Sequence, residues 1–343
     1  MKHSALRVHR IRAAVVALLG AGLVACGGGG GGGESEGGGV PLLIDLTTAN
    51  MVTVASAAAA GPFALGTAAA APGFGVQPVD RSAGPAAAVA HVAGAILPAA
   101  QGLQAGRARA LAVYSDGPLG CSYGGTVTTT IDDVDGNGLF GVGDRLEFVF
   151  DQCRLSPSEI THGSVAATLT RLDDGPLPAF GARLTMTGLS SASADGLHAV
   201  TTDGAALLDY AQLDATRERL RMTVDGTATV HVRTHSGVDD TLALQPGYYS
   251  ESVHDFARRQ STITGGGQLH SAAAGGLVRV ETAPSLTQLD RDAFPGMGGL
   301  VVHGAHGTLS VLALSPLQVQ LGLDVDDCGT AEHVRAEAWD WLL

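Results

Sequence analysis

The sequence predicts a mainly β fold over residues 119–343: a large antiparallel meander, sandwich or partly closed barrel, with a short Ala-rich helical segment N-terminal to it. Three observations carry this expectation. From Cys121 onward, apolar and polar residues alternate with period two, as in "GTVTTTI", "RLEFVF", "ARLTMTG", "GTATVHVRT" and "LQVQLGLDV". A strand sends successive side chains to opposite faces, so alternation of this kind builds one apolar face and one solvated face. Glycine, aspartate and asparagine recur between the runs at roughly ten-residue intervals, the spacing of hairpin turns. Residues 41–118 show neither feature; they are rich in alanine, glycine and proline and poor in charge.

The first element is not part of the fold. Lys2, Arg7, Arg10 and Arg12 precede an apolar run from Ala13 to Val24, the layout of a secretory signal over residues 1–25. Leu23-Val24-Ala25-Cys26 resembles a bacterial lipobox. That resemblance implies cleavage before Cys26, a diacylglycerol thioether on its sulfur and an acylated new N-terminus. Several acyl chains make a lasting anchor, because each buried methylene contributes about 0.8 kcal/mol. Residues 26–40 then form a lipidated cysteine and a Gly-rich tether. Gly33-Glu34-Ser35-Glu36-Gly37 matches the G-x-S-x-G pattern of a hydrolase nucleophile elbow. An elbow needs a strand entering and a helix leaving it; Ser35 has glycine on both sides and reads as tether.

Within 41–118 a helix is expected near 85–97. Pro85 suits the first helical position, Val89, Val92 and Ile96 share one face, and Pro98 closes the run. The remainder, including "AAAAGPFALGTAAAAPGFG", reads as linker. Residues 86–100 are apolar but short and interrupted by His91 and Pro98, so no membrane span is expected there.

Composition excludes several chemistries. Lys2 is the only lysine, so the chain after the signal has none. Walker-type phosphate binding, Schiff-base catalysis and Ser-Lys hydrolysis each need that amine. Losing the four basic signal residues, with no acidic residue among the first 25, takes the net charge from −13 to −17. A chain so acidic repels nucleic acid, which is not expected as a partner. Once Cys26 is acylated, Cys121, Cys153 and Cys328 remain, an odd number.

The segment richest in chemistry is "CSYGGTVTTTIDDVDGNGLFGVGDRLEFVFDQC". Asp133, Asp135 and Asn137 occupy positions 1, 3 and 5 of a calcium-type loop. Gly138 is at position 6, Leu139 offers a backbone carbonyl at 7, and Asp144 falls at 12. Calcium takes six to eight oxygens, and alternate carboxylates in a tight turn point inward to supply them. The flanks read as strands, so this is a β-hairpin loop and not an EF-hand. Two readings stay open: structural Ca2+, or a polar Asp/Asn/Gly turn that needs no metal. Cys121 and Cys153 are equidistant from position 137 and would face each other in a hairpin centred there. Opposed antiparallel residues lie about 4.5–5.5 Å apart, which suits a disulfide. Cys328 is left over. It lies in "LDVDDCGT", which resembles a degraded copy of the same Asp-rich turn with Cys328 where an oxygen ligand would be.

Other constellations fall short. His231 and His235 share a strand face, but four strand residues span about 13 Å, too far for one zinc. His303 and His306 flank a glycine turn without an evident third ligand. Trp339 and Trp341 in "AWDWLL" would share one face of a terminal strand and anchor the C-terminus. No catalytic residue is assigned.

The lipobox with its glycine run, the Cys-x-x-Gly-Gly start at Cys121, the "DVDGNG" hairpin ending in cysteine and the final "AWDWLL" together resemble uncharacterised lipoproteins of proteobacteria. The resemblance is patchy across Leu23–Cys153 and the last forty residues. It implies an exported β protein anchored to the lipid bilayer through Cys26, and no activity. Gly27 is unlike the aspartate that retains lipoproteins in the inner membrane, so the expected place is the outer membrane, on its periplasmic face or the cell surface. The leading expectation is a non-enzymatic binding or structural protein. The alternatives are a carrier holding an acyl chain on a curved sheet, with the Ala-rich helix as plug, and an envelope hydrolase.

Overall fold

Alternation and turn chemistry resolve into seventeen strands and three helical stretches in a computed structural model that describes residues 42–65, 88–89, 91–97, 117–173 and 175–343. The expected signal, Cys26, the glycine tether, Ser35, Pro85 and Pro98 lie outside the described residues. The helices and strands belong to one compact unit, residues 39–343.

The β1 (Leu119–Gly120), β2 (Thr126–Asp132), β3 (Arg145–Ser156), β4 (Glu159–Asp173), β5 (Ala179–Ser193) and β6 (Ala199–Gln212) strands pair in chain order, each antiparallel to the last. Next, β7 (Arg217–Val224) and β8 (Ala228–Arg233) form one interrupted line along β6. The β9 (Asp239–Leu244) and β10 (Tyr249–Asp255) strands continue this: β9 pairs with β8 and β10 with β7. Both then pair with β11 (Gln260–Ser271), which is followed by β12 (Gly276–Thr282) and β13 (Leu286–Leu289). The meander ends with β14 (Gly299–His303), β15 (Thr308–Ser315), β16 (Gln318–Asp324) and β17 (His333–Ala338). The result is mainly β, one large antiparallel sheet and not a clean barrel.

The sheet bends where glycine permits it. Gly163 and Gly188 sit at register shifts of the long β4–β5 pair, and a Cβ on Gly163 would lie 2.1 Å from the Gly188 carbonyl oxygen. In β6, Gly204 has φ +132° and faces Ala228, at the interruption between β7 and β8. Bulges of this kind increase the local twist. One face carries the apolar set, among it Phe148, Leu184, Leu208, Met222, Val278 and Leu321, all buried. Each such side chain contributes about 1.5–3 kcal/mol on leaving water.

Helix α1 (Met51–Ala64) packs against that face, touching β6, β8, β9, β11 and β14 to β16. Eleven of its 14 residues are buried, so it has no polar side to show solvent. This corrects the linker reading of residues 57–64. Alanine is the best helix former, and its small side chain lets a helix approach a sheet closely. Gly61 shows the closeness: a Cβ there would meet the Tyr248 hydroxyl at 2.3 Å. In the second helical stretch, α2 (88–89 and 91–97), Val89, Val92 and Ile96 are fully buried, and His91 meets the Phe148 and Phe150 rings edge-on.

The chain closes on α3 (Trp339–Leu342), a helical turn and not a strand. The two tryptophans therefore do not share a face. Trp339 is fully buried, stacks on Phe294 at 6.0 Å and donates its indole N–H to the Pro295 carbonyl at 3.1 Å. Trp341 is half exposed. The Ser56 hydroxyl of α1 donates to the Leu342 carbonyl, tying the two helices together.

Cys121 and Cys153 form a disulfide with Cα atoms 5.5 Å apart. The route differs from a simple opposed pair. Thr126 lies opposite Asp151, a register that leaves Cys121 beyond the end of β2. A turn through Gly124 and Gly125 folds Cys121 back, with Tyr123 N–H donating to Arg154 and Arg154 N–H donating to Gly124.

Candidate functional site

The turn between β2 and β3 brings Asp133, Asp135 and Asp144 together. Each offers a carboxylate oxygen, and the three atoms lie within 4.8 Å of one another. The chain achieves this by alternating glycine with short polar residues. Gly136 and Gly138 take φ of +66° and +74°, which folds the loop tightly enough for its own N–H groups to reach the carboxylates. Gly138 N–H donates to Asp133 Oδ2 at 2.7 Å, and Asn137 N–H donates to Asp135 Oδ1 at 3.1 Å. Asp144 is 2% exposed and accepts from Val134 N–H and Gly141 N–H, at 3.0 and 2.7 Å. The Gly138 N–H foremost holds the Asp133 carboxyl below the usual carboxylate range.

Asn137 and Leu139 are in the same loop, engaged with each other: Leu139 N–H donates to Asn137 Oδ1 at 2.6 Å. The Asn137 side-chain amide donates to Asp135 Oδ2 at 2.7 Å. Asp133 Oδ1 is enclosed and has no hydrogen-bond partner among the described residues. Three hard carboxylates with one oxygen still free fit calcium chemistry, in which carbonyl and water oxygens complete the shell. The internal N–H donors equally stabilise the turn by itself, so the geometry accommodates both readings made from the sequence.

The turn between β16 and β17 repeats the pattern. Asp324, Asp326, Cys328 and Glu332 each place one ligand atom within 4.8 Å of the others. Gly329 N–H donates to Asp324 Oδ2 at 2.6 Å, as Gly138 does to Asp133. Glu332 was not singled out from the sequence, although it stands at position 9 counted from Asp324. A hydrogen bond to Asp326 pushes the Cys328 thiol up to about 11, whereas a coordinated cation would deprotonate it outright.

Among the described residues neither ligand cluster contains histidine. His231 bonds Thr241, His235 stacks on His198, His303 pairs with Glu281 and His306 with Asp45. His254 meets both a hydroxyl and a carboxylate, Ser261 Oγ at 3.0 Å and Asp290 Oδ1 at 3.8 Å, but both lie on Nδ1. A Ser-His-Asp relay uses opposite ring nitrogens, so this grouping is not one. On the solvated face a groove of about 380 Å³ is lined by Arg171, Asp209, Arg219 and Arg221. Asp209 bridges Arg171 and Arg219, Asp173 also meets Arg171, and Glu251 faces Arg221, so three carboxylates balance the three arginines.

Comparison with known proteins finds no family model, curated protein or solved structure that matches this chain. Among the described residues no helix is long and apolar enough to cross a membrane.

Proposed function

We propose that the chain is an exported lipoprotein of the bacterial cell envelope. It is held at the outer membrane by acyl chains on Cys26 and serves a non-enzymatic binding or structural role. The observation that carries this reading is the Cys121–Cys153 disulfide, because such bonds persist in oxidising compartments and are rare in the cytosol. The lipobox-like Leu23–Cys26 and the absence of lysine after the signal agree with it. The packing of α1 favours a scaffold over a lipid carrier. A carrier needs its apolar face free for an acyl chain, and here Val54, Ala55, Ala58 and Ala59 fill it and are fully buried.

The anchor is tested by growing an expressing bacterium with labelled palmitate. The wild-type chain is expected to take up label and fractionate with the outer membrane. Cys26→Ser is expected to take up none; equal labelling of both would overturn the anchor.

Within this reading, the Asp133–Asp144 loop holds Ca2+ as a structural ion. Calorimetric titration with calcium chloride is expected to show one site, lost in Asp133→Asn and in Asp144→Asn. At calcium a hundredfold above the dissociation constant, linkage raises stability by about 2.7 kcal/mol. A titration without heat, together with an unchanged melting temperature, would leave the loop a metal-free turn.

A further inference from the structure

One register row of the apolar face is unlike its neighbours. Tyr210, Leu220, Ser252, Ile263 and Leu286 stand side by side across five strands. One step toward the strand ends, the row becomes Gln212, Glu218, His254, Ser261 and Gln288. Glu218 is 2% exposed. The Tyr210 hydroxyl donates to its Oε2 at 2.9 Å, while Oε1 is enclosed and has no hydrogen-bond partner among the described residues. Among the described residues no arginine pairs with it; Arg217, Arg219 and Arg221 of the same strand take Asp214, Asp209 and Glu251 instead.

The titratable groups facing Glu218 come from three directions. The β6 strand presents Tyr210, and β10 presents His254 directly opposite. Beyond His254 lies Asp290, which also meets Arg259 at 3.6 Å. Helix α1 has no titratable side chain, and His91 of α2 sits against Phe148 and Phe150 of β3. A carboxylate here would have one oxygen unpaired in an apolar setting, a costly arrangement that a proton removes. His254 does not supply a ready counter-charge, since burial favours its neutral ring against the pull of Asp290 and Asp255.

We propose that Glu218 is a proton switch: with its proton the row packs against the apolar face, and without it the adjoining ends of β6, β7 and β10 loosen. The fold would then tighten in acid and slacken in alkali. Burial pushes the Glu218 carboxyl up from 4.5 to about 7, with the Tyr210 hydroxyl pulling modestly downward. The folded state therefore holds this proton more tightly than the unfolded chain. The stability that Glu218 contributes is full below about pH 4.5 and is lost as pH rises through about 7.

The test is equilibrium unfolding of the purified full-length protein at a series of pH values, wild type beside Glu218→Gln. Between about pH 5 and about pH 8 the unfolding constant of the wild type is expected to rise roughly 70-fold relative to the variant. Parallel profiles would overturn the proposal. Infrared spectroscopy of the wild type reads the proton itself and does not depend on the variant folding. A carboxylic-acid carbonyl band that titrates away near pH 7 is expected. Its absence throughout the neutral range would overturn the proposal as well.

Discussion

Replacing Trp339 by alanine is expected to destabilise the protein by about 3–5 kcal/mol, the range for deleting a large buried aromatic. Trp341→Ala is expected to cost about 0.5 kcal/mol or less, as surface substitutions do. The contrast follows from the helical turn that ends the chain. Trp339 is fully buried, stacks on Phe294 and satisfies the Pro295 carbonyl, whereas Trp341, two residues on, is half exposed. Truncation at 339 empties the space beside Phe294 and leaves a buried carbonyl without its donor. It also loosens the turn whose Leu342 carbonyl accepts from Ser56, so α1 loses its tie to the C-terminus. Urea unfolding of the two variants measures the difference. Equal losses would mean that both indoles face the core, as a terminal strand would place them.

The parts legible in the sequence were those governed by short-range periodicity. Every second residue of "RLEFVF" is large and apolar, and in β3 Leu146, Phe148 and Phe150 are all buried while Val149 is exposed. The Asp133–Asp144 turn was equally legible, because spacings of two and nine residues along one loop fix which carboxylates meet. Helix α1 was not. A run of alanines has no apolar stripe to detect, and what makes it a core helix is a hollow built by strands that follow it by more than a hundred residues. The same limit hid the Glu218 row. Glu218 and His254 meet because β7 pairs with β10 across the intervening β8 and β9, a register that no local pattern encodes. Glu332 was not legible for a smaller reason: it lies eight residues from Asp324, whereas the first loop closes eleven residues from Asp133, and a cysteine stands between in a ligand position.

Removing the disulfide, as Cys121→Ala with Cys153→Ala, is expected to cost about 3–4 kcal/mol for a closed loop of this size. That corresponds to a fall in melting temperature of roughly 5–6 °C. The same hairpin carries the Asp loop: the bond clamps the open end of the β2–β3 pair and the carboxylates close its tip. Gly125 folds back so closely that a Cβ on it would lie 1.9 Å from the Gln152 carbonyl oxygen, and Cys121 sits past the last β2–β3 pair with Asp151. Without the sulfur bridge, backbone hydrogen bonds among Cys121, Tyr123, Gly124, Gly125 and Arg154 hold this end. Calcium titration of the double variant separates two arrangements. If the tip is organised through the length of the hairpin, affinity falls together with stability. If its own N–H donors suffice, affinity is unchanged while the melting temperature still drops. The short donor distances inside the loop, 2.6–2.7 Å at Asp133, Asn137 and Asp144, favour the second outcome. A double variant as stable as the wild type would show that the bridge adds nothing to the fold.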